Sequence, residues 1–247
     1  MAERRTRANT KALLLEEGTR QLLAQGLKGT AEIRLKDVCD QLEERSGVRI
    51  TPGSVYERIW TDQRDFQLEV LTAVLAERDL GEIDRALQRA FESIDEADMG
   101  EDPAAAKRRF CKLAADGLVN AVLDSAHWQI WVGAWGSIAS TPELRDDFRI
   151  GEVIEDGYLR STTRLGEQCD NSLTRLGISL RPGLTSYQLA VALGSLVEGL
   201  SLRLRYDRDV TNELTTSENG KAQSWGLPGL CFEALVDRFY QQHRTSP

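Results

Sequence analysis

The chain has 247 residues and a net charge of -8, and its 41% hydrophobic and 28% charged residues are typical of a soluble, folded protein. Its apolar stretches are far shorter than a membrane span and its N-terminus lacks the apolar run of a signal peptide, so we expect a cytoplasmic protein without a membrane partner. The two histidines and four widely spaced cysteines form no motif for a metal site or a catalytic triad. We therefore expect no catalytic residues, no metal and no cofactor.

The charge is unevenly distributed along the chain. Residues 1–66 contain 12 Lys and Arg against 11 Asp and Glu, a balance of +1, which leaves -9 for the rest. Within the first eleven residues, Arg4, Arg5, Arg7 and Lys11 face only Glu3. This basic run is either a flexible arm that follows nucleic-acid phosphates or a solvated tail, and the sequence does not decide between the two.

Almost every periodic segment predicts a helix, so the expected class is all-α. The first helix should run from about Thr6 to Gln25 and end at Gly26, and a second should run from about Arg34 to Arg45. The second helix has an apolar face with i, i+3, i+4, i+7 spacing, formed by Leu35, Val38, Cys39 and Leu42.

A short third helix is predicted from Pro52 to about Trp60. Thr51 is a good N-cap, and Pro52 suits the first helical position because its missing N–H would be unpaired there. Val55 and Ile59 are four residues apart and can pack on the second helix. The outward residues are then Gly53, Ser54, Glu57 and Arg58.

The rest of the chain, residues 67–247, predicts a helical body. Asp62 can cap a long fourth helix, which is expected to end at an acidic loop near residues 92–103. The polar stretch 207–226 is either mobile or has a role of its own. Further helices are expected at about Ala104 to Leu123, Ala126 to Ala139, Pro142 to Gly166, Thr185 to Tyr206 and Leu227 to Arg244.

The first 66 residues resemble the DNA-binding head of the TetR family of transcriptional regulators. The resemblance rests on an ordered set of positions: Leu14-Leu15, Gly18, Leu22-Leu23, Gly26, Leu35, Val38, Cys39, Gly47-Val48, the run Thr51 to Tyr56, and Phe66. The chain departs from the family pattern in three places. The segment from Cys39 to Gly47 is longer, one extra residue separates Tyr56 from Trp60, and the usual lysine at the start of the fourth helix is absent. Gln63 or Arg64 must then supply any phosphate contact there.

The resemblance implies a helix-turn-helix DNA-binding domain over residues 1–66 and a helical regulatory and dimerisation domain over residues 67–247. Such a protein would bind a palindromic duplex operator as a homodimer, and a small-molecule effector would release it, most often relieving repression. The alternative is a helical dimeric binding or scaffold protein that does not bind DNA, which would have no use for the run Thr51 to Tyr56.

Three sets of candidate site residues follow. The DNA-binding set is Arg5, Arg34, Lys36, Thr51, Gly53, Ser54, Tyr56, Arg58 and Arg64, in which Tyr56 is either a phosphate contact or a half-buried ring that packs the head. The dimer-interface set is Leu189, Leu193, Leu196, Leu200, Leu230 and Leu235. The ligand-binding set is Phe110, His127, Trp131 and Trp135. The two tryptophans share one helix face with Trp128, and this face is either part of the core or the wall of a ligand cavity.

Overall fold

The computed structural model confirms the all-α class. It describes ten helices and four short strands within residues 6–25, 33–76, 81–94, 102–140, 148–207, 209, 214–218 and 221–242. The chain forms two compact units. The first contains Met1–Arg78 and Ser125–Gly157, and the second contains Asp79–Asp124 and Tyr158–Pro247.

The elements follow one another along the chain as short and long helices. The helices are α1 Arg7–Gln25, α2 Leu35–Ser46, α3 Pro52–Tyr56, α4 Gln63–Ala76, α5 Gly81–Glu92, α6 Pro103–Asp124, α7 Ala126–Ser140, α8 Phe148–Arg175, α9 Ser186–Leu204 and α10 Leu227–Phe239. The strands are β1 Ile178–Leu180, β2 Leu214–Glu218, β3 Lys221–Trp225 and β4 Tyr240–Gln242. The strands β1 and β4 pair antiparallel, as do β2 and β3.

In the first unit, α1 packs closely on α4. A Cβ added at Gly18 would come within 2.8 Å of Val70 Cγ2 and 3.3 Å of the Phe66 ring, so the two helices touch where α1 has no side chain. Leu14 and Leu22 lie one turn on either side of this glycine and are buried. The glycine therefore fixes how near α4 can come to α1.

The signals that predicted α2 and α3 are largely present in the structure. Gly47 ends α2 with a φ of +69°, a left-handed conformation that favours glycine, and its N–H donates to Glu43 O at 2.8 Å. Pro52 opens α3, but the Thr51 side chain makes no capping hydrogen bond. α3 ends at Tyr56 rather than at Trp60, and a turn follows it.

The start of α4 agrees with its predicted cap, whereas its length does not. Asp62 Oδ1 accepts the Asp65 N–H at 2.8 Å, as expected of an N-cap. The helix ends at Ala76, and a separate helix, α5, occupies Gly81–Glu92. The predicted boundary at residue 66 also differs from the division into units, because residues 125–157 group with the head.

The core of the second unit contains residues that the sequence assigned to a dimer interface. Leu189 and Leu193 are completely buried and Leu200 is 8% exposed, all within the core of this one chain. These three residues, predicted for a dimer interface, are therefore core residues of the single chain. Leu196 and Leu235 are half-buried and pack against the same core, and Leu230 is also half-buried.

The polar stretch 207–226 contains a β-hairpin that was not predicted from the sequence. The strands β2 and β3 pair from Leu214 with Trp225 to Glu218 with Lys221. Trp225 is buried, and Lys112 Nζ on α6 donates to Ser224 O at 2.7 Å. These contacts attach the end of the hairpin to α6. No helix in the described ranges is both long enough and apolar enough to cross a membrane.

Candidate nucleic-acid interface

A buried carboxylate joins α1 to α2. The Glu17 side chain has no exposed surface and pairs with Arg45 at 2.9 Å and with Arg20, whose Nη2 also donates to Gln41 at 2.9 Å. Gln21 adds a hydrogen bond to Glu17 at 3.2 Å. Burial raises the pKa of Glu17, but the hydrogen bonds from Arg20 and Gln21 and the charges of both arginines outweigh it, so the pKa is lowered. The carboxylate therefore stays ionised and holds the end of α2 against α1.

The turn after α3 is anchored to α4 by an aromatic pair and a shared carboxylate. The Trp60 ring meets Phe66 edge-on with centroids 4.9 Å apart. Trp60 Nε1 donates to Glu69, which also pairs with Lys11 of α1. These contacts fix the segment between α3 and α4, where the chain has one more residue than the TetR pattern.

A groove of about 1200 Å³ runs between the start of α1, the turn after α2, and α3. Its described lining includes three arginines, Arg7, Arg49 and Arg58, and no Asp or Glu. All three arginines are exposed, and none of them forms an ion pair within the described part of the chain. The remaining lining residues are neutral: Thr6, Asn9, Thr10, Ala12, Leu13, Gly47, Val48, Ile50, Thr51, Ser54, Val55 and Ile59.

The structure brings part of the predicted DNA-binding set to this groove. Thr51, Ser54 and Arg58 line it, whereas Gly53 is exposed, with open space where a Cβ would stand. Ser54 Oγ donates to Thr51 O at 2.8 Å. These short side chains leave the backbone of α3 accessible to a ligand.

The other predicted DNA-binding residues do not line the groove. Arg34 and Arg64 are exposed, at the N-terminal ends of α2 and α4. Lys36 is exposed and pairs with Asp40 at 3.9 Å. Arg5 lies outside the described residues.

Tyr56 is half-buried, and its hydroxyl is engaged within the protein. It lies 2.9 Å from Oε1 of Gln63, the first residue of α4. Burial raises the pKa of Tyr56, and the neighbouring Cys39 and Asp62 raise it further, so the phenol is neutral at physiological pH. A direct phosphate contact by this hydroxyl stays a prediction.

Arg7 and Arg49 were not among the predicted site residues. Arg49 stands in the turn between α2 and α3, and Arg7 is the first residue of α1. A basic residue inside the turn of a helix-turn-helix segment is a signal that would have found Arg49 from the sequence. Arg7 lay within the basic N-terminal run, of which only Arg5 was selected.

The predicted ligand-binding residues belong to different units. Phe110 is fully buried in the second unit, where its ring centroid lies 6.2 Å from that of Phe232. His127 and Trp131 belong to the first unit, and Trp131 covers Gly157, where an added Cβ would lie 3.0 Å from the indole. The Trp135 side chain lies outside the described part of the structure. Phe110 is thus a core residue, and a ligand role for the other three is a separate hypothesis.

No protein-family model matches the chain, and no curated relative matches it significantly. The resemblance to TetR regulators therefore rests on the residues of the head themselves.

Proposed function

We propose that the protein is a sequence-specific, duplex-DNA-binding transcriptional regulator that acts as a homodimer and contacts DNA through α2, α3 and the start of α1. The observation that carries this proposal is the groove with three exposed arginines and no carboxylate. In a chain with 39 Asp and Glu against 31 Lys and Arg, such a surface is selective for an anionic ligand.

The arrangement of the arginines fits a nucleic-acid backbone. Arg7, Arg49 and Arg58 come from the start of α1, the turn after α2 and the segment after α3, so three segments each bring one positive charge to the groove beside α3. In a helix-turn-helix protein the third helix enters the major groove while flanking basic groups contact phosphates. The outward residues Gly53 and Ser54 are small enough to let α3 approach base edges.

Selection of DNA from a pool of random duplexes tests this function. The account predicts enrichment of duplexes with two related half-sites about 10 base pairs apart, the spacing that a two-fold dimer requires. A protein that enriches no sequence and binds no duplex at low salt would support the alternative, a helical binding or scaffold protein.

The proposed dimer interface is the outer face of α9. Four of the five exposed large hydrophobic residues of the described chain lie on or directly after this helix: Tyr187, Val191, Leu202 and Tyr206. Tyr187, Val191 and Leu202 share one side of the helix, because spacings of four and eleven residues return to the same face. Gly194 and Gly199 lie among them, with open space where a Cβ would stand, which allows a second helix to approach closely.

The proposed effector site is at α7 in the first unit. His127 Nε2 is buried and has no hydrogen-bond partner among the described residues, although a buried polar atom normally has one. A small molecule with a polar group beside an aromatic surface would satisfy it, and Trp131 is on the same helix one turn on. Tryptophan fluorescence during a ligand screen, with operator affinity measured for each hit, tests this site; hits that bind a His127→Leu variant equally well would contradict it.

A further inference from the structure

Gln63, the first residue of α4, makes three hydrogen bonds with two other segments of the head, the start of α2 and the end of α3. Its Oε1 accepts the Leu35 backbone N–H at 3.0 Å and lies 2.9 Å from the Tyr56 hydroxyl. Its Nε2 donates to Ile33 O at 2.7 Å. One side chain therefore joins the start of α2, the last residue of α3 and the start of α4.

The orientation of the Gln63 amide is fixed by the chemistry of its backbone partners. A backbone N–H can only donate and a backbone carbonyl can only accept, so Oε1 must face Leu35 N and Nε2 must face Ile33 O. The Tyr56 hydroxyl is then the donor to Oε1, because that oxygen has no hydrogen to give. Both lone pairs of Oε1 are used within the protein.

We propose that Gln63 is a positioning residue, which holds Tyr56 and the first turn of α2 against α4 in the orientation that binds DNA, and that it does not itself contact DNA. This inference rests on the proposed DNA-binding function. It also implies that the exposed Arg64, and not Gln63, is the residue at the start of α4 that could contact a phosphate, because Gln63 is engaged inside the head.

The recognition segment needs such an anchor because it is short. α3 has five residues, of which only Val55 is buried, so few contacts of its own define its orientation. Without the Gln63 contact, Tyr56 and α3 should sample other orientations. The apparent dissociation constant for DNA is then inversely proportional to the fraction of molecules in the orientation that binds.

The test compares Gln63→Met, Tyr56→Phe and the double variant in binding to the duplex that the full-length parent selects. Gln63→Met keeps the length of the side chain but removes both hydrogen-bonding groups. We expect each single variant to bind about tenfold more weakly, equivalent to 1.4 kcal/mol, because both variants lose the hydrogen bond between residues 56 and 63, and the double variant to be little worse than either single one. Such non-additivity shows that Gln63 acts through Tyr56.

Gln67→Met is the matched control, because Gln67 Nε2 also donates to Ile33 O, at 3.1 Å, but no hydrogen bond joins it to Tyr56. It should leave DNA affinity nearly unchanged and its effect should add to that of Tyr56→Phe. In protein with isotope-labelled tyrosine, Gln63→Met should shift the Tyr56 Cζ resonance, identified by its absence in Tyr56→Phe, whereas Gln67→Met should not. A merely structural loss of stability would not move this resonance selectively.

The outcomes separate the two proposals. If the parent selects a duplex and Gln63→Met binds it as tightly as the parent, or if the single effects simply add, the positioning role is wrong and the DNA-binding function stands. If the folded parent binds no duplex, the proposed function fails, and the positioning role fails with it.

Discussion

Arg45, in the last turn of α2, lies 2.9 Å from the fully buried carboxylate of Glu17 on α1. The carboxylate also accepts from Arg20 and Gln21, so it is the centre of a polar cluster between α1 and α2. Because its pKa is lowered from the ordinary value of 4.5, folding favours the ionised form. The stabilisation is complete above about pH 4.5 and is lost as the pH falls through the lowered pKa of the folded state.

Replacing Glu17 by Gln should therefore change how stability depends on pH. We expect the variant to be less stable at pH 7 by about 1–2 kcal/mol, the range for hydrogen bonds to charged groups between partly exposed partners. Below pH 4.5 the stability of the variant should fall less steeply than that of the parent, because the variant lacks the one carboxylate whose pKa is lowered by this cluster. Urea unfolding at a series of pH values measures both effects. Glu16→Gln is the control, because Glu16 is the exposed neighbour of Glu17. If stability depends on pH in the same way for Glu17→Gln and for the parent, the role of the cluster is refuted.

The close approach of α1 and α4 predicts a second effect on stability. Replacing Gly18 by Ala places a Cβ within 2.8 Å of Val70 Cγ2, and this overpacking costs about 1–3 kcal/mol, more than the gain of about 0.5–1 kcal/mol in helix propensity. Gly151→Ala is the matched control in the same unit, because α8 has open space at that position. Thermal unfolding should show a lower Tm for Gly18→Ala and an equal or higher Tm for Gly151→Ala. A Gly18→Ala variant with a higher Tm than the parent would show that α1 and α4 can move apart to accommodate the Cβ without loss of stability.

The exposed face of α9 predicts where a charge disrupts the proposed dimer. Val191→Glu places a carboxylate at a residue 46% exposed in the single chain, so it should leave the monomer folded and break the dimer. Leu159→Glu is the control, since Leu159 is 54% exposed but lies on α8. Sedimentation should find dimers of the parent and of Leu159→Glu, and monomers of Val191→Glu. A parent that sediments as a stable monomer at micromolar concentration would contradict the interface.

Much of the head could be predicted from the sequence because its signals are local. Gly47 and Pro52 bound the turn between α2 and α3, and each acts through its own backbone geometry. The contacts of Gln63 could not be predicted in the same way. They join residues up to 30 positions apart, and no spacing rule identifies which amide will meet which carbonyl.

The core position of the α9 leucines could not be predicted for a different physical reason. The helix has apolar residues on two faces, and periodicity shows that a face is buried without showing whether the core or a second chain buries it. In the structure Leu189 and Leu193 face the core, whereas Val191 is exposed. The outer residues were less conspicuous in the sequence because they are interrupted by glycine and serine.

The hairpin and α5 were missed although the sequence contains a signal for each. Asn219-Gly220 lies between β2 and β3, and this dipeptide is a strong hairpin signal even in a polar segment. Gly81 begins α5 after the end of α4, but the apolar periodicity continues beyond it, and this continuity favoured a single long helix.

The salt dependence of operator binding tests the central claim, that the arginine groove binds DNA phosphates. Each phosphate contact contributes about 0.9 to the slope of log binding constant against log salt concentration. Arg49→Met should therefore bind the selected duplex more weakly and with a slope lower by about one, whereas Arg89→Met, an exposed arginine on α5, should match the parent. An Arg49→Met variant with the affinity and salt slope of the parent would contradict the account.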